Sequence, residues 1–156
     1  MDIALDRPRW RFTADYLFHP RVNAGVEINP AADEITVRGN VRVLAEKRVV
    51  PNVSLGTSSD RLGSPAHTQC YYMTVAKSLP GLPIAPYGSI NYSEWEDGWT
   101  FPFGTNIMLG RGLSALLMND GRKPHAALNY DSGRGWGLSA LYIWFEHPGL
   151  ALTIGF

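Results

Sequence analysis

Large apolar residues alternate with small or polar residues along most of the chain. In the clearest such segment, Trp10, Phe12, Ala14, Tyr16 and Phe18 alternate with Arg9, Arg11, Thr13, Asp15 and Leu17. The last residues repeat the pattern, with Leu150, Leu152, Ile154 and Phe156 separated by Ala151, Thr153 and Gly155. A period of two residues is typical of β-strands with two different faces.

The same period recurs between turn sequences and predicts about eleven strands. After a polar lead-in at 1–8, they lie at 9–18, 22–28, 35–43, 49–57, 69–79, 84–93, 101–109, 113–118, 125–130, 136–145 and 150–156. Asp97-Gly98 is a typical hairpin turn, and a helix competes with a strand only at 113–118. The pattern predicts an all-β fold: an antiparallel up-and-down (meander) β-barrel of about 10–12 strands, as a single domain over 1–156.

The alternation fits two opposite barrels, because a soluble barrel encloses its apolar face and a membrane barrel exposes it to lipid. A barrel of ten to twelve strands is too wide to be filled easily by ordinary side chains, which favours a polar, hydrated interior. Arginine or lysine on the lipid-facing side would cost roughly 2–4 kcal/mol each at the membrane midplane. The sequence therefore favours apolar side chains outside, with aromatic residues near strand ends forming girdles at the membrane interfaces.

The final apolar strand ending in Phe156 resembles the last strand of bacterial outer-membrane β-barrel proteins. The resemblance implies outer-membrane localisation, contact with outer-membrane lipid, and recognition of Phe156 as an assembly signal by the barrel-assembly machinery. The first ten residues, MDIALDRPRW, lack the apolar segment of an export signal. Two interpretations follow: the export segment is missing from this chain, or the protein is cytoplasmic.

Composition excludes some classes of partner and chemistry. Fourteen basic residues balance fourteen acidic residues, so no nucleic-acid partner is expected. Cys70 is the only cysteine and cannot form an internal disulfide. The four histidines lack the close spacing of metal ligands, and neither GxSxG nor a phosphate-binding P-loop is present. We expect no catalytic residue, cofactor or metal, and no enzymatic activity.

The polar positions of the strands provide the candidate site. Its residues are Arg9, Arg11, Asp15, Glu27, Arg38 and Arg42, expected to pair across the barrel interior, and Asp60 and Arg61, expected at its rim. They predict a charged lumen or constriction that small solutes could pass, as in a porin. The alternative is a set of solvated loops and cross-strand ion pairs without a binding role.

Three functions remain open from the sequence. The first is an outer-membrane β-barrel with a structural, surface or narrow-pore role. The second is a soluble β-barrel that binds a hydrophobic small molecule in an apolar interior. The third is an outer-membrane hydrolase, which would need groups such as Ser58, Ser59, Asp60, His67 and Asp120 to come together at one rim.

Overall fold

A computed structural model describes residues 11–30, 33–60 and 64–155 of the chain. Its twelve strands are β1 (Phe12–His19), β2 (Val22–Asn29), β3 (Glu34–Leu44), β4 (Asn52–Ser59), β5 (Gln69–Ala76), β6 (Ile84–Ser93), β7 (Gly98–Thr100), β8 (Phe103–Gly110), β9 (Leu113–Asn119), β10 (Pro124–Asp131), β11 (Trp136–Ile143) and β12 (His147–Ile154). The all-β prediction is confirmed, and residues 113–118 lie in a strand. Within the described ranges, no helix is long and apolar enough to cross a membrane.

The strands form one antiparallel sheet in the order β1-β2-β3-β4-β5-β6-β8-β9-β10-β11-β12, which confirms the predicted meander. The short strand β7 pairs with the end of β6, while β8 pairs with its beginning. Pro102 lies between β7 and β8, and because proline has no backbone N–H it cannot continue the ladder. This interruption explains the difference between eleven predicted strands and twelve observed ones.

The hydrogen-bonded path ends at β1 and β12, and no ladder between the described residues of these two strands closes it. The predicted pairing of the last strand with its predecessor is present, with Trp136 opposite Ile154 and Ile143 opposite His147. A closed barrel, as the sequence predicts, also requires the last strand to pair with the first, and the backbone hydrogen bonds of the described residues do not make that pairing.

Backbone contacts divide the chain into two compact units. The first unit comprises Met1–Val75 and Ser89–Thr100, and contains β1 to β4, nearly all of β5, the end of β6, and β7. The second comprises Ala76–Gly88 and Phe101–Phe156, and contains the beginning of β6 and β8 to β12.

Large apolar side chains are exposed in both units, and the buried polar side chains among the described residues lie in the first unit. On β3, Glu34 and Thr36 are only 2% and 4% exposed, whereas Ile35 and Val37 between them are 68% and 61% exposed. Across the described residues, more than thirty large apolar side chains are exposed, and the buried hydrophobic residues are Cys70 and Trp144. We call the two sides the polar face and the apolar face.

The position of Trp144 differs from the prediction. Period-two alternation over 136–145 predicts that Trp144 lies on the same face as Trp136 and Tyr142. In the structure, β11 ends at Ile143 and the Trp144 side chain is buried. Trp144 and Phe145 form a tight turn with φ of 56° and 55°, closed by a 3.0 Å hydrogen bond from Glu146 N–H to the Ile143 carbonyl. The turn ends the alternation, because the pleat of a strand does not continue through residues with positive φ.

Candidate functional site

An ion pair joins the first two strands on the polar face of the first unit. Arg11 Nε lies 3.1 Å from Glu27 Oε1, and the Glu27 side chain is 4% exposed. The same carboxylate oxygen accepts a 2.7 Å hydrogen bond from the Ser59 hydroxyl of β4. A buried carboxylate thus has both a cationic partner and a neutral donor, as its desolvation requires.

A second ion pair spans three strands because the residue between its partners is glycine. Arg38 Nε on β3 lies 3.0 Å from Asp15 Oδ1 on β1, and the register places Gly25 of β2 between them. A methyl group added at Gly25 would lie 2.6 Å from Asp15 Oδ1 and would also contact the Ala14 carbonyl oxygen. Gly25 therefore provides the space in which Arg38 reaches across β2.

Two further carboxylates hold the ends of strands in the first unit. The buried carboxylate of Asp60 accepts hydrogen bonds from the Ser93 hydroxyl at 2.7 Å and from Trp95 N–H at 3.2 Å. The buried carboxylate of Glu34 accepts a 2.7 Å hydrogen bond from the backbone N–H of His67. These contacts fix the connection between β4 and β5 and the turn after β6.

The outcome for the predicted site residues is mixed. Arg11, Asp15, Glu27 and Arg38 form the two ion pairs, and Asp60 is buried. Arg42 is exposed and has no ion pair within the described part of the chain. Arg9, Arg61 and Phe156 lie outside the described residues.

The groups considered for a hydrolase have other partners. Ser59 binds Glu27, Asp60 binds Ser93, and Asp120 binds His125. In the ranges that the structure describes, no histidine is hydrogen-bonded to a serine hydroxyl, and no group of three metal-binding side chains is present. Among the described residues, the groups named for the hydrolase are therefore held in separate contacts.

A cluster in the second unit was not predicted. Asp120, in the turn between β9 and β10, has a 13% exposed side chain and lies 2.9 Å from His125 Nε2 through Oδ2. Its Oδ1 accepts hydrogen bonds from the backbone N–H groups of Arg122 and Lys123 at 2.8 and 2.7 Å. Burial would raise the pKa of Asp120, but the hydrogen bonds from His125, Lys123 and Arg122 and the charge of His125 outweigh it and lower the pKa to about 2.

Trp144 forms the second part of this cluster. The Nζ of Lys123 lies 4.1 Å from the centre of the Trp144 ring, and the His147 ring packs edge-on at 5.8 Å. The indole Nε1 is buried without a hydrogen-bond partner among the described residues. Only the register of β9 to β12 reveals the cluster, since it places Met118, His125, Ile143 and His147 in one row.

The chain matches no known protein family, no curated protein and no solved structure in the comparisons made.

Proposed function

We propose that the chain forms a β-barrel of the bacterial outer membrane with a structural, surface or narrow-pore role. The observation that carries this proposal is the exposure of large apolar side chains along both units, together with the burial of polar side chains in the first unit. Water-soluble monomers rarely expose contiguous apolar patches larger than a few hundred Å². Lipid is the environment that an exposed apolar face of a sheet fits best.

The last strand illustrates the energetic argument. Leu150, Leu152 and Ile154 are exposed by 79%, 65% and 64%. Moving one such side chain fully out of water is worth about 1.5–3 kcal/mol, so contact with lipid stabilises the whole row. A soluble barrel that binds a ligand in an apolar interior would need these rows to be buried, and their exposure therefore supports the proposal.

The polar face supports the same proposal. The ion pairs Arg11–Glu27 and Arg38–Asp15 lie on it, and together with the buried side chains of Asp60 and Ser93 they suit a narrow, hydrated interior. An unpaired sheet edge is not tolerated in hydrocarbon, so the proposal requires the edges of β1 and β12 to be paired in the membrane, within one chain or with neighbouring copies.

Aromatic pairs on the described strands are consistent with interface girdles. Tyr130 and Trp136 pack edge to face at 5.6 Å, and Tyr92 and Trp99 at 5.4 Å. Trp136 is the first residue of β11 and Trp99 is the middle residue of the short strand β7. Both side chains are exposed, and both lie close to a turn. Tyrosine and tryptophan are enriched at such positions because one end of the ring is apolar and the other is polar.

Adjacent residues of β10 provide a matched test. In a tryptophan-free background, Leu128→Trp places the reporter on the apolar face and Asn129→Trp places it on the polar face. In vesicles containing brominated phosphatidylcholine, we expect strong fluorescence quenching for Leu128→Trp and weak quenching for Asn129→Trp. The two positions differ in depth by only one residue. A difference in quenching therefore reports which face of the sheet the side chain is on.

Two results would contradict the proposal. Equal quenching of both variants would show that the two faces do not differ in lipid contact. Absence of quenching in both, with the protein remaining monomeric in detergent-free buffer, would favour the soluble β-barrel.

A further inference from the structure

Two turns of the same sequence lie side by side in the second unit. Gly110-Arg111-Gly112 joins β8 to β9, and 133–135, also Gly-Arg-Gly, belongs to the turn between β10 and β11. The backbone N–H of Asp131 donates a 2.8 Å hydrogen bond to the Gly112 carbonyl, which links the two turns. Arg111 and Arg134 are both exposed.

Glycine is required at one position of each turn, at Gly112 for the contact between the two turns and at Gly135 for a contact with Gly155. Gly112 has φ of 79°, and a methyl group added there would overlap the Asp131 carbonyl oxygen. Gly135 has φ of 82°, and an added methyl group would lie 2.7 Å from the Gly155 carbonyl oxygen. Gly112 therefore allows the turns that carry Arg111 and Arg134 to pack closely.

The charges at these turns favour an anion. Neither Arg111 nor Arg134 forms an ion pair with any residue that the structure describes. The acidic side chain at the same turns, Asp131, accepts a 2.8 Å hydrogen bond from Gly133 N–H. The two guanidinium groups and the one carboxylate give these turns a net positive charge. Guanidinium groups bind phosphate oxygens in a bidentate geometry.

The apolar face next to these turns carries aromatic rings. Tyr130 and Trp136, on the strands that the second turn connects, are 38% and 44% exposed and pack against each other. Aromatic rings directly below cationic side chains are typical of the head-group level of a membrane.

Further along the same strands, the apolar face has a groove. Ala115 and Ala140 lie on either side of Leu128, and Ala126 lies between Leu117 and Tyr142. These residues line a depression of about 330 Å³, within the size range of small-molecule sites. Ala126 is four residues from Tyr130, or about 13 Å along an extended strand.

We propose that this face of the second unit binds a lipid with an anionic phosphate head group, with Arg111 and Arg134 on the phosphate and an acyl chain in the alanine groove. This inference rests on the proposed function, which places the apolar face in lipid. Charge complementarity at the turns and the continuity of the groove with the apolar face identify the occupant. The net negative charge of the head group gives selectivity over a zwitterionic lipid, whose ammonium group repels the guanidinium groups, and the groove gives apolar contact area.

The test compares two lipids with the same acyl chains. Native mass spectrometry of the full chain in detergent micelles measures binding of phosphatidylglycerol and phosphatidylcholine. We expect tighter binding of phosphatidylglycerol, and a loss of about fivefold for each of Arg111→Gln and Arg134→Gln, with a smaller loss for phosphatidylcholine, whose ammonium group neutralises its phosphate. Arg21→Gln, which changes an exposed arginine of another turn, is the matched control and should leave the preference unaltered. Ala126→Leu fills the groove without changing charge and should weaken binding of both lipids.

Several results would overturn the inference. These are equal binding of the two lipids, an equal effect of Arg21→Gln, displacement of phosphatidylglycerol by inorganic phosphate alone, or a dimer that competes with lipid for this face. An unchanged affinity in Ala126→Leu would overturn the assignment of the acyl chain. Quenching of Leu128→Trp without a preference for phosphatidylglycerol removes this inference alone, whereas failure of that quenching removes the proposed function.

Discussion

At the scale of single residues, Asp120 shows how a turn can hold a buried charge. Its two carboxylate oxygens accept hydrogen bonds from His125 and from two backbone N–H groups of its own turn. These partners stabilise the ionised form more than burial disfavours it, and the pKa of Asp120 falls from 3.8 to about 2. The ionised carboxylate therefore contributes to stability above its unfolded pKa.

Asp120→Asn should remove that contribution. A pKa lowered on folding from 3.8 to about 2 corresponds to about 2 kcal/mol, present above pH 4 and lost as the pH falls through the folded value. Urea unfolding in detergent should show the variant less stable than the parent at pH 7, with the difference disappearing toward pH 2. Asp131→Asn, at the exposed last residue of β10, controls for the substitution itself. A difference that does not depend on pH would contradict the prediction.

At the scale of elements, the hairpin of β11 and β12 has an unusual turn. Three residues join the strands, and the two with positive φ, where asparagine or glycine is usual, are Trp144 and Phe145. Each costs on the order of 1–3 kcal/mol of backbone strain, which other contacts must offset. Trp144 packs between Lys123 and His147, whereas Phe145 packs on Tyr142 at 5.5 Å on an exposed surface.

Replacing Trp144 or Phe145 with glycine should distinguish the cost of backbone strain from the stabilisation that side-chain packing provides. Trp144→Gly loses a buried aromatic side chain, worth about 3–5 kcal/mol in large-to-small substitutions, and regains only the strain. Phe145→Gly regains similar strain but loses an edge-to-face pair worth about 0.5–1.5 kcal/mol. We expect Trp144→Gly to be clearly destabilising and Phe145→Gly to be nearly neutral in detergent unfolding. Equal effects would mean that the burial of Trp144 does not stabilise the hairpin.

At the scale of the whole molecule, the exposed apolar face means that stability depends on what surrounds the protein. The proposed outer-membrane function includes a second requirement, recognition of Phe156 during assembly. Ile154 provides a comparison, because it belongs to the same apolar row and is 64% exposed. Removing either side chain should cost on the order of 1–3 kcal/mol of burial, too little to unfold a whole barrel.

Phe156→Ala should therefore lower assembly in cells more than it lowers stability. With an export signal supplied, we expect less Phe156→Ala than parent protein in isolated outer membranes, while refolding of the purified chain in detergent decreases only slightly. Ile154→Ala should lose a similar amount of stability but retain normal insertion. Equal insertion of Phe156→Ala and the parent would contradict the recognition of this residue.

The sequence by itself determined the local architecture. Period-two alternation predicted the strands, because successive side chains of a strand point to opposite faces, and Asp97-Gly98 marked the turn between β6 and β7. Local patterns also placed Arg11, Asp15, Glu27 and Arg38 on polar positions. They could not identify β7, since three residues are too few to establish a period.

Only the tertiary structure decided which polar groups meet. The pairing of Arg38 with Asp15 depends on the register that aligns Gly25 between them, and the neighbouring Gly-Arg-Gly turns depend on a hydrogen bond between segments about twenty residues apart. The burial of Trp144 depends on positive φ in a turn that lacks the usual turn residues. Alternation fixes the two faces of a strand, but register and turn geometry determine which residues of different strands become neighbours.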